Sequence, residues 1–158
     1  MRVSLWLFAA LVFGPASSIA RAEPPLRLED CPVAVEPAHA IPHLTFTDAR
    51  TRHYSSVIRD AAKEPVNFAG HYVLATWGCG AGCVMAAAID TKTGRVISLP
   101  FTVSDWPADV TEPFSYRADS CLLIVRGSRN ESAQHGTYYY AFDGKTFRLR
   151  TSASESRH

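Results

Sequence analysis

Apolar and polar positions change their period several times along the chain, and each change marks an element. Val3 to Phe13 is an almost unbroken apolar run. From Glu23 to Phe46 the pattern is irregular and is punctuated by Pro24, Pro25, Pro32, Pro37 and Pro42. Proline fixes φ and removes a backbone donor, so 23–46 reads as an extended arm, not as regular helix or central strand. From Thr47 the period becomes helical. Tyr54, Val57, Ile58 and Ala61 fall at i, i+3, i+4 and i+7, with Arg50, Arg52, Arg59, Asp60 and Lys63 on the other faces. Thr47-Asp48 offers a cap and an acid at the positive end of the helix dipole, and Pro65 stops the run. The spacing predicts one amphipathic helix over about 48–63.

Beyond Pro65 the period is two. Phe68, Gly70, Tyr72 and Leu74 alternate with Ala69, His71, Val73 and Ala75, apolar on both faces, which predicts a central strand. Val84 to Ile89 and Arg95 to Leu99 flank the turn residues Asp90 to Gly94, a hairpin. Residues 100–113 carry Pro100, Pro107 and Pro113 and read as a long loop. Phe114 to Arg117 and Cys121 to Val125 are short strands, and Ser128 to Gly136 is a polar loop. Thr137 to Phe142 and Thr146 to Arg150 flank Asp143-Gly144-Lys145, a second hairpin. The fold class is α+β, mainly β: an antiparallel meander of six or seven strands with the 48–63 helix packed on the sheet. The domain spans 47–151, and 152–158 is a polar tail.

The opening apolar run changes the picture of compartment. Arg2, the run itself and the small residues of Ala20-Arg21-Ala22 form the three parts of a secretory signal over 1–22. At about 11 residues the run falls short of the roughly 20 that cross a bilayer. Cleavage after Ala22 removes Arg2 and Arg21, leaving 14 basic against 15 acidic residues, a net charge of −1. Near-neutrality without a basic cluster speaks against nucleic acid or anionic membranes as partners. The expected location is the periplasm or the exterior.

All four cysteines, Cys31, Cys79, Cys83 and Cys121, follow the leader, and an even count in an exported chain argues for two disulfides. Three pairings exist. Gly80-Ala81-Gly82 can turn tightly enough to join Cys79 to Cys83, which favours that bond, with Cys31–Cys121 closing a long loop.

The segment Asn67 to Cys83, NFAGHYVLATWGCGAGC, concentrates the unusual residues. Phe68 to Tyr72, the turn Trp77 to Gly80 and the downstream hairpin Asp90 to Val96 carry a resemblance to a group of uncharacterised exported bacterial proteins, over about residues 50–150. The resemblance implies the same fold and compartment and no particular reaction. Three readings of the segment differ in chemistry. In the first, a disulfide staples the turn and Trp77 covers it. In the second, Cys79 and Cys83, with His71 or His135, hold a soft metal such as copper. In the third, a cysteine nucleophile uses His71 as base, which requires a free thiolate. An even cysteine count in an oxidising compartment favours the first. The sequence shows no GxSxG elbow, phosphate loop, HExxH or calcium loop. His39, His43 and His53 read as surface histidines.

No catalytic residue, metal ligand or cofactor is assigned. The chain reads as a binding or inhibitor-type module for another envelope or secreted protein, more a binder than an enzyme. His71, Tyr72, Trp77 and Tyr139 are the candidate contact residues, because aromatic side chains give contact area at low entropic cost. The alternative is a copper-binding protein or small enzyme centred on His71, Cys79 and Cys83.

Overall fold

A computed structural model describes residues 24–37, 40–41 and 43–154. The signal sequence at 1–22, His39 and the residues from 155 on lie outside that set. Among the described residues nine strands form one sheet: β1 (Thr45–Phe46), β2 (Tyr72–Gly80), β3 (Cys83–Asp90), β4 (Arg95–Ser98), β5 (Val103–Ser104), β6 (Phe114–Ser115), β7 (Leu122–Arg129), β8 (His135–Phe142) and β9 (Phe147–Ser154). The order is β1-β4-β3-β5-β7-β8-β9, with β2 added to β3 and β6 to β7. Every pairing is antiparallel except β1 with β4. The mainly β class stands, but the sheet is mixed and exceeds the expected six or seven strands. The extra ones, β1 and β5, are two-residue strands inside proline-rich stretches, where period-two patterning has no room to show.

The helical region divides. Instead of one helix over 48–63 there are α1 (Ala49–His53) and α2 (Ser55–Ala61), broken at Tyr54, whose φ and ψ are −95° and 21°. The two pieces are anchored to different strands. The Asp48 carboxylate accepts the Thr51 N–H at 2.9 Å and the Ser98 hydroxyl at 3.0 Å, and Arg50 donates to the Leu99 carbonyl, so α1 is tied to β4 and its continuation. α2 instead buries Ile58 against Val73 and Ala75 of β2. The break turns Val57 outward, 37% exposed, while Tyr54, Ile58 and Ala61 keep the buried stripe.

The sheet has apolar residues on both faces. Val73, Ala75, Trp77, Met85, Ala87 and Ile89 pack under the helices. Tyr72, Leu74, Ala86, Val103, Leu123, Val125, Tyr138 and Tyr140 face a second core. Phe68, completely buried, plugs that core, 5.5 Å from Phe142 and 6.2 Å from Phe147 by ring centroid. Tyr72 meets Phe142 edge-on at 4.9 Å, so the sheet curls until β2 faces the β8–β9 hairpin.

The arm is extended apart from a 3-10 turn at Leu28–Asp30. Cys31–Cys121 ties it to the sheet, and Cys79–Cys83 joins β2 to β3 across their turn. The Ser120 hydroxyl donates to the Leu28 carbonyl, and Arg117 bridges Glu29 and Asp119 at 2.6 Å each. At the other end of the domain, β9 runs on to Ser154, so residues 152–154 are strand and not tail.

Candidate functional site

Strand β2 begins at Tyr72, not at Phe68, because Asn67 to His71 fold back on it. The Asn67 and Phe68 N–H groups both donate to the Tyr72 carbonyl at 3.1 Å, and the Tyr72 N–H donates to the Phe68 carbonyl at 2.9 Å. The Asn67 side chain then accepts the Leu74 N–H at 2.7 Å. Those groups lie along the free edge of β2, whose first half is therefore capped by the residues that precede it. The fold-back is tight. Ala69 and Gly70 have φ of 45° and 86°, and a Cβ on Gly70 would lie 2.7 Å from the Ala34 carbonyl oxygen. Contrary to the expectation of a central strand, β2 ends the sheet, yet Tyr72 to Ala75 are buried on both faces.

His71 sits in this fold-back with its side chain 21% exposed. Glu36 of the arm lies 3.6 Å from Nδ1 and Asp90 lies 3.6 Å from Nε2. Lys92 pairs with Glu36 at 2.6 Å, and the Thr91 hydroxyl donates to the His71 carbonyl at 2.6 Å. The imidazole lies between the arm and the β3–β4 turn, which the Lys92–Glu36 ion pair joins. Its two carboxylates approach opposite ring nitrogens and do not converge on one point. The Tyr72 hydroxyl beside it is held above the ordinary phenol range, by burial first and then by Asp90 and Asp143.

The structure does not assemble His71 with Cys79 and Cys83. The strand between them is continuous, so at about 3.3 Å per residue His71 lies roughly 25 Å from the cysteine turn. His135 is in register with Ser128, Ser104 and Cys83 across β8, β7, β5 and β3. Three strand spacings of about 4.8 Å hold it roughly 14 Å from Cys83. Both sulfurs of the turn are committed to each other, and among the described residues there is no free cysteine and no group of three or more His, Cys, Asp or Glu able to hold a metal. Trp77 is buried against Tyr54, ring centroids 5.4 Å apart, and its indole N–H has no hydrogen-bond partner among the described residues. His43 and His53 are exposed.

Of the four candidate contact residues, Tyr72, Trp77 and Tyr139 are each 7% exposed and His71 is half-buried. Tyr139 lines an open feature. On the outer face of β8 and β9, the arm and β9 enclose a groove of about 710 Å³, with Pro24, Pro25 and Leu26 on one side, Tyr139 in the floor and Arg150 and Thr151 opposite. Asp30 also borders it, one carboxylate oxygen accepting the Arg27 N–H at 2.7 Å. Beyond the groove, β9 is the last strand of the sheet. Phe147 is buried, but every residue from Arg148 to Ser154 is exposed. Its inner side pairs with β8, with a register shift at Tyr139/Tyr140 that leaves Arg150 without a partner residue. Its outer side has no backbone hydrogen bond among the described residues. Arg148 is held by Asp143 at 2.9 Å, whereas Arg150 has no ion pair among the described residues.

Sequence reasoning picked out Tyr139 but missed Arg150 and the edge. The available signal was the alternation Phe147-Arg148-Leu149-Arg150, a strand with cations on one side and no acid of its own. Nothing local pointed to Glu36 as a neighbour of His71. No family model, no curated protein and no solved structure matches the chain. Among the described residues, no helix is long and apolar enough to cross a membrane.

Proposed function

We propose that the chain is an exported binding module that captures an extended segment of another secreted or envelope protein along β9. The observation that carries this reading is the eight-residue edge whose outward N–H and C=O groups are unpaired within the described chain. Such an edge is a template for an added strand: main-chain hydrogen bonds supply affinity and flanking pockets supply selectivity. The groove beside Tyr139 is such a pocket. Two disulfides support export, since these bonds persist in oxidising compartments. They also support a structural role for the cysteine turn over a redox or metal role.

A photo-crosslinking residue placed at Leu149, in the cells that make the protein, tests the docking strand. A covalent adduct with another protein is expected at Leu149 and not at Glu112, an exposed residue of the 105–113 loop. Absence of any adduct at Leu149 above the Glu112 background refutes the reading.

A further inference from the structure

Strand addition leaves open what kind of segment is added, and the two faces of β9 answer differently. Leu149 pairs with Tyr140, whose side chain lies in the inner core, so Leu149 points to the inner face, where it is 46% exposed. Arg148 pairs with Ala141 and therefore lies on the opposite face, and Arg150 borders the outer groove. An added strand alternates its side chains with the same period and sets each beside those of its neighbour at about 5 Å, close enough for charge pairs to matter. Its inner-facing residues would meet Leu149, and its outer-facing residues would meet the arginines.

Those cations are not balanced within the strand. β9 contains no acidic residue. Asp143 answers Arg148, whereas Asp30, which keeps its charge and borders the same groove, makes no ion pair with Arg150 among the described residues, so Arg150 is the cation of the strand still without a partner. A second copy of the chain would bring another basic β9 to this edge, and like charges across a strand pair are unfavourable. We infer, resting on the docking reading above, that β9 selects an extended acidic segment, with carboxylates on one face toward Arg150 and apolar side chains on the other toward Leu149.

Two fluorescently labelled eight-residue peptides separate this from other occupants, one alternating Glu with Val and one alternating Lys with Val. Anisotropy titration of the full chain should give at least tenfold tighter binding of the Glu/Val peptide, weakening as salt rises. Arg150→Glu should lose that preference or reverse it, with an unchanged melting curve. Equal binding of both peptides, or no response to Arg150→Glu, overturns the acidic preference while leaving strand docking in place. Binding of neither peptide overturns the inference as well, and the Leu149 crosslink then decides separately whether β9 docks anything. A dimer of the protein alone that Leu149→Asp dissociates would make a second copy the occupant, also overturning it.

Discussion

Two of the strands that pair on one side only, β2 and β9, are finished in opposite ways. β2 is sealed over its first half: Asn67 and Phe68 take up the backbone groups of Tyr72 and Leu74, the helices cover one face and Phe68 fills the other. β9 is bare from Arg148 to Ser154. The same backbone chemistry is present at both, so the difference lies in what the chain spends residues on. Seven positions, Asn67 to Val73, build a turn with two consecutive left-handed residues to close β2. Among the described residues nothing comparable is built at β9, where protection against indiscriminate strand addition falls to two arginines.

If the contrast is real, substitutions at the sealed edge should cost stability and those at the open edge should not. The largest effect is expected for Phe68→Ala, which empties the plug of the inner core. It should destabilise the protein by about 3–5 kcal/mol in urea unfolding. A loss of only a few tenths would mean that the plug is dispensable. Replacing Cys31 and Cys121 together by serine should cost about 2–5 kcal/mol and free the arm that walls the groove. Increased iodide quenching of Tyr139, read against a Tyr139→Phe control, would report the uncovering. Asn67→Ala leaves the Leu74 N–H without its acceptor and should cost about 1–3 kcal/mol. Hydrogen exchange at Leu74 should accelerate with it, and unchanged exchange would show that the edge is sealed by something else.

A smaller effect concerns the helices that cover β2. Burial raises the Asp48 carboxyl, but hydrogen bonds from Thr51 and Ser98 outweigh it and hold the group below its ordinary value. A depressed folded value means that this contribution is complete above the unfolded value near 3.9 and is lost as pH falls through the folded one. Asp48→Asn keeps an acceptor for the cap and removes the titration, so its stability should depend less on pH below about 4 than that of the wild type. Asp48→Ala should cost about 1 kcal/mol at neutral pH. The smallest effect belongs to the open edge: Arg150→Glu should change stability by less than about 0.5 kcal/mol. A larger loss would make Arg150 part of the scaffold and not of a contact surface.

Much of this was written locally. The two hairpins around Asp90 to Gly94 and Asp143 to Lys145 are visible because turn residues and period-two patterning coincide there. The glycines between Cys79 and Cys83 favour, among three possible pairings, the one the structure has. The helix break at Tyr54 was not visible, since the apolar stripe runs through it and the cause is attachment to two different strands. The alternation from Phe68 onward looked like strand because fold-back residues that bury their side chains mimic a buried strand. Tyr72, Trp77 and Tyr139 looked alike as aromatic contact residues, and only three-dimensional position makes Tyr139 the floor of a groove. Within Ser128 to Gly136 the loop is confined to 130–134; polar composition masks the last pairs of the β7–β8 ladder, Gly127 with Gly136 and Ser128 with His135.

The groove takes one wall from Pro24 to Leu26 and the other from Arg150 to Ala153, the two extremes of the described chain. Its two walls are brought together only by β9 pairing with β8 and by the Cys31–Cys121 bond that ties down the arm. Until β9 has paired with β8, β8 is the bare edge and the pocket has a single side. Groove and edge strand therefore form or are lost together, so anything that unzips β9 also dismantles the groove.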